Sequence, residues 1–264
     1  MPLFAAATVP GKKKRVRLFA AGGGKISGSV GCFAGIARSR HDAKRASPLS
    51  QGIFMTSKTQ APSLAYVYQG SLYLNITAKC PTACTFCIKF SWDYQYRGHN
   101  LLLPKEPSVE EIIQAAGDVS QYKQVIFCGY GESTYRLDAM KEIAAALRKK
   151  GVKSLRLNTV GLGNSIHKRD IAPDLAEFLD AISISLNTLN PERWVELHRP
   201  LPEYRQTGFE SVLSFIRSCA TRIPQTFVSA VEGPEIDNAQ FIKFVENLGA
   251  QARIRPHLDE YEDQ

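Results

Sequence analysis

Three cysteines, Cys80, Cys84 and Cys87, fall within eight positions in the segment Lys79-Cys80-Pro81-Thr82-Ala83-Cys84-Thr85-Phe86-Cys87. On one tight loop, thiolates spaced C-x3-C-x2-C can each take a different iron of a 4Fe–4S cubane, whereas ferredoxin clusters use four cysteines. The fourth iron is then without a protein ligand, and an open coordination position is where a small molecule can bind and react, as in a catalytic zinc site. Two plainer readings stand beside this one. His99 could complete a Cys3His zinc site, or the cysteines could be buried without a metal. Structural zinc commonly uses two C-x2-C pairs, and no second pair stands at suitable spacing. Cys32, Cys128 and Cys219 are scattered along the chain. That is not the even, distributed set of a secreted disulfide framework, so a reducing, cytoplasmic setting is expected.

A loop bearing such a site needs elements that hold it, and the chain supplies them as a repeating strand–helix pattern. Leu72–Thr77 alternates and is β-rich. Ser108 and Glu111 form a capping box ahead of a helix. Gln124–Cys128 is a short apolar run of the kind a buried parallel strand shows. Leu137, Met140, Ile143, Ala144 and Leu147 recur at helical spacing before a stop at Gly151. Strands are predicted at Ser154–Asn158, Ala181–Leu186, Gln225–Val231 and Ala252–Arg255, with a short helix over Leu175–Leu179. A second capping box, Thr207 with Glu210, is predicted before another helix, and Asp237 caps the last one, which Gly249 closes. Six βα units in about 200 residues predict an α/β fold, a partial (β/α)6 TIM-like barrel with its chemistry on the loops at the C-terminal strand ends.

Composition places the basic character elsewhere. Residues 1–60 hold 11 of the 33 Lys and Arg and a single acid, Asp42, whereas residues 61–264 carry a net charge of −2. The chain is therefore read as a basic, disordered extension, residues 1–60, and a core domain, residues 61–264. Lys12-Lys13-Lys14-Arg15 could equally be a nuclear or nucleic-acid patch, or part of a transit peptide. In a further reading the extension is not made at all and translation starts near Met55. No run of about 18 apolar residues exists, so no membrane span is predicted.

The triad, with an aromatic residue just before its third cysteine, resembles the signature of the radical SAM superfamily. Tyr68–Thr77, the Gly129-Tyr130-Gly131-Glu132 turn and Asn158–Asn164 sharpen it to the members linked to TatD-type nucleases. That resemblance covers about residues 66–256. It implies a 4Fe–4S cluster on Cys80, Cys84 and Cys87 that reductively cleaves S-adenosylmethionine (SAM), giving a 5′-deoxyadenosyl radical that takes hydrogen from an unidentified substrate. It also implies an external, flavodoxin- or ferredoxin-like electron donor. Gly129, Tyr130, Gly131 and Glu132 match the family's Gly-Gly-Glu motif at the SAM amino group, although Ser133 stands where proline is usual. Asn158, Ser185 and Asn187 would meet the ribose and carboxylate of SAM, Phe86 would lie beside the adenine, and Val231-Glu232-Gly233 would close its far side. Trp92, Tyr94, Tyr96, Arg97, His99 and His198-Arg199-Pro200 are candidates for substrate contact or for a wall against solvent. The competing function is a non-enzymatic Fe–S or zinc module that binds nucleic acid through the basic extension.

Overall fold

A computed structural model describes residues 60–233 and 236–256. The readings of residues 1–59, the basic extension, Cys32 and the start near Met55 included, lie outside the described residues. Seven strands form one sheet in the order β1-β2-β5-β6-β7-β8-β9. These are β1 (Ala65–Tyr68), β2 (Ser71–Leu74), β5 (Val125–Phe127), β6 (Leu155–Thr159), β7 (Ala181–Ser185), β8 (Gln225–Val231) and β9 (Gln251–Arg255); β3 (Gln95–Tyr96) and β4 (His99–Asn100) form a separate small hairpin. The six strands from β2 through β9 in this order run parallel, as expected of the βα units. The additional β1 was not anticipated. It pairs antiparallel with β2 across a two-residue turn in which Gln69 and Gly70 both take positive φ (47° and 69°), the geometry that matches strand twist in a tight hairpin.

Alternation along each strand divides the sheet into two faces. Leu72, Leu74, Val125, Phe127, Leu155, Leu157, Ile182, Ile184, Val228 and Ala230 are buried in one core beneath the helices. That layer includes α2 (Val109–Ala116), α3 (Leu137–Lys149), α6 (Pro191–His198), α7 (Gly208–Ala220) and α8 (Asn238–Asn247). Tyr73, Arg156, Asn158, Ser183, Ser185 and Phe227 occupy the alternate positions and face the concave side. Parallel strands normally bury apolar residues on both faces. Here one face is polar, which marks it as the lumen of the barrel.

The capping box at Ser108 forms as predicted, with Ser108 Oγ accepting from Glu111 N at 3.1 Å and Glu111 Oε2 accepting from Ser108 N at 2.7 Å. Ser108→Ala is expected to cost about 1 kcal/mol, read as a lower urea midpoint at unchanged slope. The second predicted box does not form. Thr207 is in the helical region (φ −113°, ψ −8°) and its side chain accepts nothing, whereas an N-cap needs an extended backbone. The cause lies in packing: a Cβ at Gly208 would stand 2.9 Å from the Trp194 ring, so the chain enters α7 where the indole dictates.

Candidate functional site

The cysteine loop follows β2 and is stitched by backbone hydrogen bonds to the segment after α6. Ala83 N donates to His198 O (3.1 Å), Thr85 N to Leu197 O (2.8 Å) and Leu201 N to Pro81 O (2.9 Å), and Thr82 bridges Pro200. The His198-Arg199-Pro200 run is thus a brace for the cysteine loop. Arg199 ends α6 in the left-handed region (φ 43°), which turns the chain into that pairing.

Within the loop, Thr82 Oγ1 lies 3.4 Å from Cys80 Sγ and 3.3 Å from Cys84 Sγ, so one hydroxyl sits between two sulfurs. Cys87 lies just before the short α1 (Ile88–Ser91), and its N–H donates to Cys84 O. Burial pushes the Cys84 thiol up to about 12 and raises that of Cys80. The histidine beside the cysteines is His198, with Nδ1 3.6 Å from Cys84 Sγ. It is fully buried, and that burial lowers its pKa to about 4, so the ring is neutral at neutral pH. Its ring stacks on Trp194 and receives the edge of Phe86. His99, offered by the sequence as a fourth zinc ligand, sits on β4 against Tyr66.

Asn187 holds the other side of His198. Its backbone is left-handed (φ 62°), its Oδ1 accepts from Val231 N at 3.0 Å, and its Nδ2 lies 3.3 Å from His198 Nε2. That same Nε2 is 3.3 Å from Leu186 O. The neutral ring therefore has two satisfied arrangements. Nε2–H can donate to Leu186 while Nδ1 accepts from a thiol, or Nε2 can accept from Asn187 while Nδ1–H donates to the Cys84 sulfur.

The Gly129–Glu132 turn follows β5 and crosses directly over the start of the cysteine loop. A Cβ on Gly131 would collide with Thr77 O and lie 2.8 Å from Lys79 O, and one on Gly129 would collide with the Asn75 amide. Here the glycines are required by backbone passing against a neighbouring loop. Glu132 N donates to Lys79 O at 2.7 Å, while its carboxylate turns inward and is only 2% exposed. It accepts from Thr134 N and Oγ1, Thr159 Oγ1 and Val160 N over 2.8–3.1 Å. Burial raises its pKa against the pull of these donors. The side chain that the sequence offered as an ammonium acceptor thus ties the ends of β5 and β6 together. Tyr130 reaches Gln95 O at 2.7 Å.

Asn158 and Ser185 stand on the lumen face near the strand ends. Asn158 Oδ1 is buried without a partner, and its side chain bonds the Cys128 thiol. Tyr96 packs with Tyr66 and Tyr68, His99 lies against Tyr66, and Trp92 stacks on Tyr96. Sequence reasoning did not anticipate the Thr82 hydroxyl between the sulfurs, or the arginines on the lumen face, Arg156, Arg253 and Arg255. The sequence signal for the arginines was strand alternation, since each is flanked by residues of the opposite face.

Three thiols on one loop, two of them sharing the Thr82 hydroxyl, are the donor chemistry that an Fe–S cluster uses. Among the described residues no three His, Cys, Asp or Glu side chains stand close enough to hold one metal ion. Residues 74–248 match the sequence model of the Radical SAM superfamily. The chain belongs to the radical SAM superfamily. Superfamily members use a 4Fe–4S cluster and SAM. Two solved structures share the fold: the FeFe-hydrogenase maturase HydG from Carboxydothermus hydrogenoformans (TM-score 0.52, 15% identity) and methylornithine synthase, PylB (TM-score 0.50, 12% identity). Each alignment covers 73% of this chain but only 45% and 55% of those chains, so this radical SAM protein spans about half their length. No curated protein matches it. Among the described residues no helix is long and apolar enough to cross a membrane.

Proposed function

We propose that the protein is a radical SAM enzyme whose cluster is held by Cys80, Cys84 and Cys87. The observation that carries this reading is the braced three-cysteine loop at the C-terminal mouth of a parallel barrel. When bound, the cluster supplies the electron that splits SAM into methionine and a 5′-deoxyadenosyl radical, the electron coming from an external flavodoxin- or ferredoxin-like donor. The chain's own task is placement. Thr82 spaces the first two sulfurs, the 197–201 segment fixes the loop, and His198 can offer Nδ1–H to the Cys84 sulfur. Gly129, Tyr130 and Gly131 present backbone at the mouth, while Glu132 keeps that turn in register. Asn158, Ser185 and Phe86 remain for the SAM side of the cavity, and Asn187 acts there through His198 and Val231. The motifs at residues 68–77 and 158–164 support membership of the TatD-linked group, and the core domain is taken as residues 61–264.

Anaerobic reconstitution is expected to give a brown protein with about four irons per chain, releasing 5′-deoxyadenosine on addition of dithionite and SAM. A colourless protein holding one zinc, with no such release, overturns the proposal. His198→Phe keeps the aromatic stack but removes the N–H. The variant is expected to retain iron yet be harder to reduce, because a thiolate that loses a hydrogen-bond donor carries more negative charge. An EPR-monitored redox titration reads the lowered midpoint; an unchanged one assigns the ring to packing alone.

A further inference from the structure

The seven strands of the main sheet contain no Asp, Glu or Lys, and they contain three arginines, Arg156 on β6 and Arg253 and Arg255 on β9. All three fall on the lumen side. On β6, Leu155, Leu157 and Thr159 are buried beneath the helices, which leaves Arg156 and Asn158 on the concave face. On β9, Ala252 and Ile254 pack against the core, so Arg253 and Arg255 take the opposite side. The concave face is therefore basic, with no acid on any of its strands.

These guanidiniums are positioned but not neutralised. Arg253 lies over the Phe227 ring at 4.1 Å, which orients the plane and leaves its N–H edges free. Arg156 bonds the Tyr73 side chain, and its Nε is buried without a partner. None of the three takes part in an ion pair among the described residues. Of the acids nearby, Glu132 is committed to Thr134, Thr159 and Val160, Glu106 pairs with Lys79, and Glu232 is exposed beyond β8. Partial burial lowers the pKa of Arg253 and Arg255, and neighbouring guanidiniums (Arg156 beside Arg253, Arg253 beside Arg255) add to it. Arg156 is half-buried, while Arg253 and Arg255 stand exposed on the edge strand β9, so the cluster is open to a solute from solvent. Three guanidiniums on one face with no acid among the strands make a site for an anion.

We propose that the lumen takes a multiply charged oxyanion, a phosphate- or carboxylate-bearing small molecule held by Arg156, Arg253 and Arg255. This deepens the radical SAM reading and rests on it, since it names the class of substrate presented to that mouth. Asn158 Oδ1, buried without a partner beside this face, adds an acceptor for a hydroxyl or amino group on the same molecule. Two other carboxylate sources must be separated from a substrate. One is SAM itself. The other is the acidic run Asp259, Glu260, Glu262 and Asp263, which lies outside the described residues.

The test uses reconstituted holoprotein with inorganic pyrophosphate and citrate as probes in isothermal titration calorimetry. The expected result is saturable binding of at least one probe that weakens as salt rises and persists with SAM present. Arg253→Gln and Arg156→Lys should each weaken it about tenfold or more, because a bidentate charge-assisted contact is lost in both. Circular dichroism and cluster absorbance identify a variant that has failed to fold, and Arg255→Gln, at the open rim, is the substitute in that case. Loss of binding once SAM is present would overturn the proposal and assign the arginines to SAM's carboxylate. Binding that appears only in a chain ending at residue 256 would assign them to the acidic run instead. Binding of neither probe by the full chain or the shortened one also overturns it, as does equal affinity in the variants. Release of 5′-deoxyadenosine by the wild-type protein is scored separately. A protein that cleaves SAM but binds no anion loses this inference alone, and one that binds anions but cannot cleave SAM loses the reading beneath it.

Discussion

Cys84→Ser is expected to abolish cluster assembly, with iron per chain falling to background and 5′-deoxyadenosine release dropping by more than about 100-fold, since even outer-shell changes at metal sites cost roughly 10–100-fold. Of the three cysteines, Cys84 has the most determined surroundings: its sulfur is 3.3 Å from Thr82 Oγ1 and 3.6 Å from His198 Nδ1. Serine keeps the size and a hydrogen-bonding atom but offers iron a poor, hard ligand. The residue is outside the buried apolar core, so the variant should unfold at nearly the wild-type urea concentration. That combination separates a ligand from a packing cysteine. Cys219 provides the contrast. It is fully buried on α7, and Cys219→Ser should instead lower stability while leaving the iron content unchanged. If Cys84→Ser retained four irons, the assignment of the triad would fall.

Glu132→Ala should be the most destabilising single change at the mouth, by about 3–5 kcal/mol, a large share of the roughly 5–15 kcal/mol typical of a domain. The loss is concentrated because one carboxylate serves donors from three residues. Thr134 N–H and Val160 N–H are backbone groups that cannot turn elsewhere, and each stranded donor costs about 1–3 kcal/mol. Urea denaturation of the metal-free protein measures this directly, without reference to activity. The pH response has a definite sign. Burial raises the folded pKa above the unfolded value of about 4.3, so the folded state holds this proton more tightly. The group's contribution is therefore fully present below the unfolded pKa and is lost as pH rises through the folded one. Glu132→Gln, which cannot titrate, should flatten that part of the stability–pH curve. A variant as stable as wild type would show that the turn is held by its glycines alone.

Those glycines show how one motif was legible for chemistry and illegible for cause. Gly129-Tyr130-Gly131-Glu132 stands out in the chain, and its position after a strand places it at the barrel mouth. The resemblance sets this turn at the amino group of SAM. In the structure the glycines make room for Thr77, Lys79 and Asn75, and the glutamate bonds the end of the next strand. Both demands ask for the same residue types, and only the location of the neighbouring backbone reveals the structural one.

The Thr207–Glu210 pair teaches the same lesson at a helix start. Its spacing satisfies the capping pattern as well as Ser108–Glu111 does. One box forms and the other does not, because Gly208 must pass against the Trp194 ring. Trp194 is 14 residues away in sequence, beyond the reach of a local pattern.

From the sequence alone, two things followed: the three-thiol loop and the parallel strand–helix repeat. Both rest on short-range information, the spacing of cysteines within one loop and the alternation of apolar residues within one element. Tertiary structure decided which groups surround that loop. His198 lies 114 positions from Cys84 and reaches it because α6 returns to the mouth beside β2. The arginines of β6 and β9 are about 100 residues apart and share a lumen only because the sheet curls. Such meetings depend on how parallel strands wrap, a property of the whole sheet that no local pattern of residues encodes.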